Sequence, residues 1–484
     1  MTAYDAVVVG SGPNGLVGAL TLAEAGRKVL LLEAADRFGG GLRSEELTLP
    51  GRVHDVCATV LPLALASPAF RALGLTDMVR FVHPEVPAAH PLDGRDAVLM
   101  YRDADRTANA LGPDAGAWRS TVGAAARAGL PLIDLVLKPL GPWLDTITGV
   151  ERLGAQGRLL ASAGLFGARA VLPATVAGRM FRTVGARAAL AGMAAHSTLD
   201  LRAPITTGYG LMLASLTHLV GWPMVEGGSQ VLADAMVARL RALGGDAVSG
   251  HRVRHLRDLP ARTILLDVMP QHFATMAELP PSYRRALIRH RHGPGVFKVD
   301  WALDGPVPWR DPRVAGAGTV HLGGTMEEIA LSEAEVASGR HSPRPYVLLV
   351  QPHAADRTRG GYTLYAYCHV PNGSTRDMTG AIEAQIERFA PGFRDRVLAR
   401  HTVNPVEFQA HNANLVGGDI NGGMGGLGQF FRRPVWSPNP WRTPLPGVFL
   451  CSSATPPGGG VHGMGGWQAA RLALGRDATA PRAY

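Results

Sequence analysis

Lysine is almost missing from this chain: in 484 residues only Lys28, Lys138 and Lys298 carry it. The formal charge of +9 therefore comes from arginine. No run of these arginines is interleaved with aromatics, so no nucleic-acid partner is expected, and most read as solvated surface. Cysteine is scarce too. Cys57, Cys368 and Cys451 stand far apart, which excludes a disulfide framework and any metal-ligand spacing, and fits a reducing, cytoplasmic setting with no metal. A clean membrane span is also lacking. Ala203–Val225 holds no Asp, Glu, Lys or Arg, but Pro204, Thr206, Thr207, Ser215, Thr217 and His218 interrupt it. The expectation is a buried helix beside an apolar substrate cavity. Arginine-dotted apolar stretches such as 151–187 leave room for peripheral contact with an anionic membrane face. The N-terminal apolar run has neither a basic leader nor a cleavage site. With 46% hydrophobic and 18% charged residues the chain is globular, and its length suits two domains.

What the chain has in quantity is glycine. The spacing Gly-x-Gly-x-x-Gly occurs three times, at Gly10/Gly12/Gly15, Gly423/Gly425/Gly428 and Gly458/Gly460/Gly463. Only the first follows an apolar strand, Val7–Val9, opens a helix, and leads to a second strand, Lys28–Leu32, that ends on an acid, Glu33. That order predicts a dinucleotide site. Gly10 makes the turn, Gly12 admits the pyrophosphate, Gly15 lets the helix pack on the sheet, and Pro13 and Asn14 open a helix whose N-terminus faces the phosphates. Glu33, followed by Ala34, suits a ribose diol and repels a 2′-phosphate. Directly downstream, Gly39, Gly40, Gly41, Leu42 and Arg43 form a second glycine turn able to reach the same diphosphate, which favours FAD over NAD.

These stretches resemble the FAD-dependent amine oxidase and phytoene desaturase superfamily, and within it the phytoene-desaturase-like flavoproteins of bacteria. Matching residues include Gly10–Gly15, Glu33, Arg37-x-Gly39-Gly40, Gly51–Thr59, Pro223–Leu232 and Pro446–Gly463. The resemblance implies an α/β architecture: a Rossmann-like FAD-binding domain from 1–90, 223–294 and 435–484, interleaved with a substrate domain of mixed β-sheet plus helices from 91–222 and 295–434. It further implies that the Val253 backbone meets the adenine end and that Cys57, Ala58 and Thr59 pass one edge of the flavin ring. Gly460, Val461 and His462 would lie at the N1–C2 edge, where a helix N-terminus stabilises reduced flavin. Ser452-Ser453 stands where the family often has Gly-Asp, so Ser453 takes the place of the acid at the ribityl chain.

Catalytic side chains are harder to assign. His462 sits inside the flavin turn, with a bond to the turn backbone as its competing role. Lys298 resembles the strand lysine that amine oxidases hold near N5, against the plainer expectation of a surface lysine. Tyr367 and His369 alternate with Tyr365 on one strand face. His196 and His218 read as satisfied core histidines. Trp301, Tyr365, Tyr367 and Trp467 are the candidates for an amine-binding aromatic cage. The expected activity is desaturation of a hydrophobic small molecule, an isoprenoid, polyene or acyl chain, by hydride transfer to FAD. No second fingerprint exists for NAD(P)H, so dioxygen or a quinone is the expected acceptor. Amine oxidation, a redox-neutral isomerisation and a non-catalytic flavin-binding scaffold remain open.

Overall fold

The computed structural model describes residues 4–137, 155–430 and 432–475. Lys138, the start of the 151–187 stretch and the last residues of the C-terminal FAD segment lie outside them.

In chain order the longer strands are β1 (Ala6–Val9), β2 (Val29–Leu32), β3 (Val86–Leu92), β4 (Arg95–Met100), β5 (Asp246–Val248), β6 (Thr263–Leu266), β7 (Gly295–Leu303), β8 (Ala317–Leu322), β9 (Val347–Val350), β10 (Tyr362–Val370), β11 (Val397–Val403) and β12 (Val448–Leu450). The helices that position the site are α1 (Pro13–Glu24), α2 (Val184–Ala195), α3 (Thr206–Leu219), α4 (Gln230–Ala242), α5 (Met326–Ala337) and α6 (Met464–Ala473).

The first sheet is parallel, in the order β12-β6-β1-β2-β5. Its central strands are wholly apolar because helices cover both faces. α1 and α4 pack on one side, with Leu16, Leu20, Leu31, Leu232 and Met236 buried together. The second sheet is mixed, in the order β11-β7-β10-β9-β8-β3-β4, with β3 and β8 its parallel pair. The sequence over Gly295–Leu303 alternates as a half-buried strand, and β7 keeps that alternation. Phe297, Val299 and Trp301 enter an apolar core, while Lys298 and Asp300 turn to the other face, where they are also buried. The plainer expectation of a surface lysine at 298 is therefore wrong.

The sequence over Asp246–Leu256 reads as a β-hairpin-like pair, and that element is absent. Residues 246–256 do not pair as a hairpin. β5 joins β2 in parallel. Beyond it Gly250 N donates to Ala35 O and His251 N to Glu33 O. The open edge of β2 and its turn offers these partners at once, and the chain takes them. The apolar 203–225 stretch becomes α3, buried along much of its length. Among the described residues no helix is long and apolar enough to cross a membrane.

Candidate functional site

A cavity of about 1170 Å³ runs along the C-terminal ends of β1, β2 and β6, where parallel sheets place their ligands. It exceeds the ~300–1,000 Å³ usual for small-ligand clefts, as an extended dinucleotide requires. Its wall contains Gly10, Gly12, Pro13, Asn14, Glu33, Ala34, Gly40, Gly41, Arg43, Cys57, Ala58, Val253, Ser453, Gly460 and Val461. These come from chain segments hundreds of residues apart.

The glycines are sterically required. A Cβ on Gly15 would lie 2.0 Å from Gly10 O, and one on Gly40 2.9 Å from Gly12 Cα. At Gly12, however, the first obstacle is a protein atom: a Cβ would lie 2.6 Å from Asp267 Oδ2. Sequence reasoning missed this carboxylate, although it immediately follows β6 at the ligand-facing end of the sheet. Asp267 Oδ2 accepts from Gly15 N at 3.0 Å. Burial, with Glu33 adding repulsion, pushes its carboxyl up to about 7 against the pull of that backbone bond.

Glu33 is held rigidly. Its Oε2 accepts from Ser11 N at 2.9 Å and Ser11 Oγ at 2.6 Å, and its Oε1 from Ala35 N at 2.8 Å. Arg43 donates from Nε to Gly40 O at 3.1 Å and from Nη2 to His411 O at 2.8 Å. It thus fastens the second glycine turn to the 411–415 segment, which also lines the cavity. The Asn14 side chain turns away from the ligand space: its Oδ1 accepts from Gly465 N at 3.1 Å and caps α6. Leu42 and Thr59 are buried and Gly15 is a packing contact; none of the three lines the cavity.

The three catalytic candidates fare differently. His462 does not line the cavity. Its Nδ1 accepts from Met464 N at 3.0 Å, so Nε2 carries the proton, donated to Gly458 O at 3.2 Å. Both nitrogens serve the turn, and burial lowers the imidazole to about 4. This is the competing role expected for it, a bond to the turn backbone. Lys298 is likewise committed: Nζ donates to both Asp300 oxygens at 2.5 and 2.6 Å and to Asp55 O at 3.1 Å. Its ammonium has no lone pair to offer and lies outside the cavity wall. It ties β7 to the strand residue that leads into Cys57. Asp55 is gripped from its other side by Arg359, at 2.6 Å and fully buried, which Asp356 shares at 2.8 Å. Tyr367 does not line the cavity either, but it is half-buried beside Cys57, which does, and burial pushes its phenol up.

The aromatic cage does not assemble from the four candidates. Tyr365 and Tyr367 share a face, Trp301 packs on Phe393 in the opposite core, and Trp467 lies on α6 against Arg471. His218 is satisfied, with Nδ1 2.8 Å from Tyr101 O and Nε2 accepting from Trp118 Nε1 at 3.0 Å. His196 pairs with His321.

Residues 8–73 match the NAD(P)-binding Rossmann-like domain family. Over 97% of its length the chain is 25% identical to the rat pyridine nucleotide-disulfide oxidoreductase domain-containing protein 2, of which it covers 93%. A segment of 108 residues, 22% of the chain, is 32% identical to one of the subunits of limonene dehydrogenase from Castellaniella defragrans, covering 19% of that protein. Among solved structures, putrescine oxidase bound to putrescine shares the fold, with a TM-score of 0.60 over 98% of both chains at 19% identity.

Proposed function

We propose that this chain is an FAD-dependent oxidoreductase of the amine oxidase superfamily, on its phytoene-desaturase-like branch, and that it dehydrogenates an apolar small molecule. The cavity carries the reading. Its backbone-walled end at Gly10–Asn14, with Glu33 and Val253, suits an adenine dinucleotide. Its far end at Cys57, Ala58, Gly460 and Val461 suits a flat ring. Gly40, Gly41 and Arg43 would take the diphosphate and Ser453 the ribityl chain. When bound, FAD supplies the hydride acceptor.

The protein's own part is to orient the substrate, exclude water and place charge. Gly463 caps α6 two residues after Val461 of the cavity wall, with a left-handed φ of +65°. The helix N-terminus there favours negative charge at the ring edge. Burial holds the Cys57 thiol in its protonated form against the nearby Lys298 and Arg43. Beyond Tyr365 and Tyr367 lies an apolar cluster containing Trp118, Phe181, Trp222 and Leu211. An apolar core of this kind beside the ring end suits an isoprenoid, polyene or acyl chain, and limonene, named for one relative, is an apolar isoprenoid. Dioxygen or a quinone is the proposed acceptor, for want of a second dinucleotide fingerprint. Amine oxidation is the second reading, favoured by the fold shared with putrescine oxidase.

The test is anaerobic mixing of the flavin-loaded protein with limonene and, separately, with putrescine, followed by the visible spectrum. Bleaching by limonene supports dehydrogenation of an apolar substrate. Bleaching by putrescine alone replaces it with amine oxidation. A flavin that stays oxidised with both sinks both, and leaves isomerisation or a scaffold.

A further inference from the structure

Glu333 is an anomaly. It sits in the middle of α5, 2% exposed, on a helix whose inward face is otherwise apolar apart from Ser332. A carboxylate in such a place is costly unless paired. Its one described partner is His369 of β10, whose Nδ1 lies 2.8 Å from Oε2. Oε1 is buried and without a hydrogen-bond partner. Among the described residues His369 bonds only through Nδ1, which leaves Nε2 free. The imidazole is thus oriented by a carboxylate on one side and open on the other, the arrangement of a buried base.

Its neighbours place it. The Tyr367 ring stands 5.9 Å from the His369 ring, two residues back along β10 and one step nearer Cys57. The Tyr346 ring is 5.9 Å away on another side and donates its hydroxyl to Gly192 O at 2.9 Å. Past Tyr346 stand His321 and His196, Nε2 to Nε2 at 3.0 Å, which burial keeps neutral, His196 falling to about 3. His90, also buried, adds to that effect on His321, and the Cys368 thiol behind the strand feels Glu333. No arginine or lysine pairs with Glu333 among the described residues.

We propose that Glu333 and His369 form a proton-accepting pair reached through Tyr367, which adjoins the cavity at Cys57; this rests on the oxidoreductase reading above. Dehydrogenation breaks two bonds to hydrogen. One hydrogen leaves with its electron pair to the flavin, and the other leaves as a proton while the double bond forms. That proton passes to the Tyr367 hydroxyl as the hydroxyl gives its own to His369 Nε2, directly or through one water. The Glu333 carboxylate balances the imidazolium. Tyr367 is returned unchanged, so it need never ionise. Glu333 is a positioning residue here, acting through His369. The substrate class is a molecule with a second C–H or an N–H beside the carbon that gives hydride.

Spectroelectrochemical titration of the FAD-loaded protein tests this without any substrate. The flavin potential is measured across pH 6 to 9 for the wild type, Glu333→Gln, Glu333→Asp and His369→Gln. A base coupled to the cavity through Tyr367 binds protons differently in the two redox states, so the wild-type curve should break. The break should change in Glu333→Gln, whose amide leaves the imidazole without its carboxylate partner. It should vanish in His369→Gln and return toward the wild type in Glu333→Asp. If either glutamate variant fails to fold, His369→Gln alone decides. Superimposable curves for wild type and His369→Gln, with FAD bound in both, overturn the pair and leave the oxidoreductase reading standing. A wild type that takes up no FAD overturns the oxidoreductase reading itself.

Discussion

Asp267 shows how a buried side chain escapes a linear reading. Gly12, Gly15 and Glu33 were legible because a dinucleotide turn imposes a local spacing. Asp267 lies 252 residues from the Gly15 amide that it accepts from, and only the parallel pairing of β6 with β1 joins them. Its carboxyl is neutral in the folded protein up to about pH 7, whereas in the unfolded chain it ionises near 3.8. Unfolding therefore releases a proton in that window, and stability falls as pH rises through it. In Asp267→Asn a side-chain oxygen can still accept from Gly15 N but cannot ionise. The melting temperature of the apo variant should exceed that of the apo wild type, by a margin that grows with pH up to about 7 and then levels off. Equal margins at pH 5 and 7.5 would refute the buried, raised carboxyl. Lys298 gives the opposite case. Lys298→Met strands Asp300, which is 0% exposed and, among the described residues, keeps only His54 at 3.5 Å and His401 at 3.9 Å. Urea denaturation should show a loss of ~3–5 kcal/mol, mostly recovered in Lys298→Met/Asp300→Leu. A loss in the single variant that the second change does not recover would mean that Lys298 does more than neutralise Asp300.

The strands were more legible than the connections. β7 and β10 announced themselves by alternation, because one of their faces meets a core of Trp301, Leu364 and Phe393. The expected hairpin after residue 246 failed because local alternation cannot say which edge a strand will join. Nor did spacing reveal why the last glycine turn ends as it does. α6 crosses α1 at backbone contact: a Cβ on Gly466 would lie 1.7 Å from Asn14 O, and one on Gly463 2.3 Å from Val17 Cγ2. The same crossing fixes the N-terminus of α6 and, with it, Gly460 and Val461 at the cavity. Gly466→Ala must push the helices apart, at ~1–3 kcal/mol for an overpacked site. It should lower the melting temperature and also release FAD during desalting, read as the ratio of flavin to protein absorbance. Asn14→Ala removes only the cap on Gly465 N, worth ~1 kcal/mol, and should leave the two helices in contact and the flavin in place.

The cavity draws its wall from residues 9–58, 251–276, 410–461 and little else, so its ligand touches both the parallel sheet and the segments that follow the mixed one. A ligand held this way stabilises the folded chain by mass action rather than by any local bond. At a thousand times its dissociation constant the gain is ~4 kcal/mol. The holo protein should accordingly melt well above the apo protein, with a midpoint that climbs with the logarithm of added FAD. Because strands of the first sheet come from 6–32, 246–266 and 448–450, with the mixed sheet's strands between them, neither sheet can come apart without disturbing the chain of the other. Flavin release and loss of helical circular dichroism should therefore fall on one curve. If flavin fluorescence rises at a lower temperature than the helical signal falls, the cavity opens before the fold does. The 410–415 segment, joined to the second glycine turn through Arg43 and His411 O, would then be the part that gives way first, and Arg43→Ala should widen the gap between the two transitions.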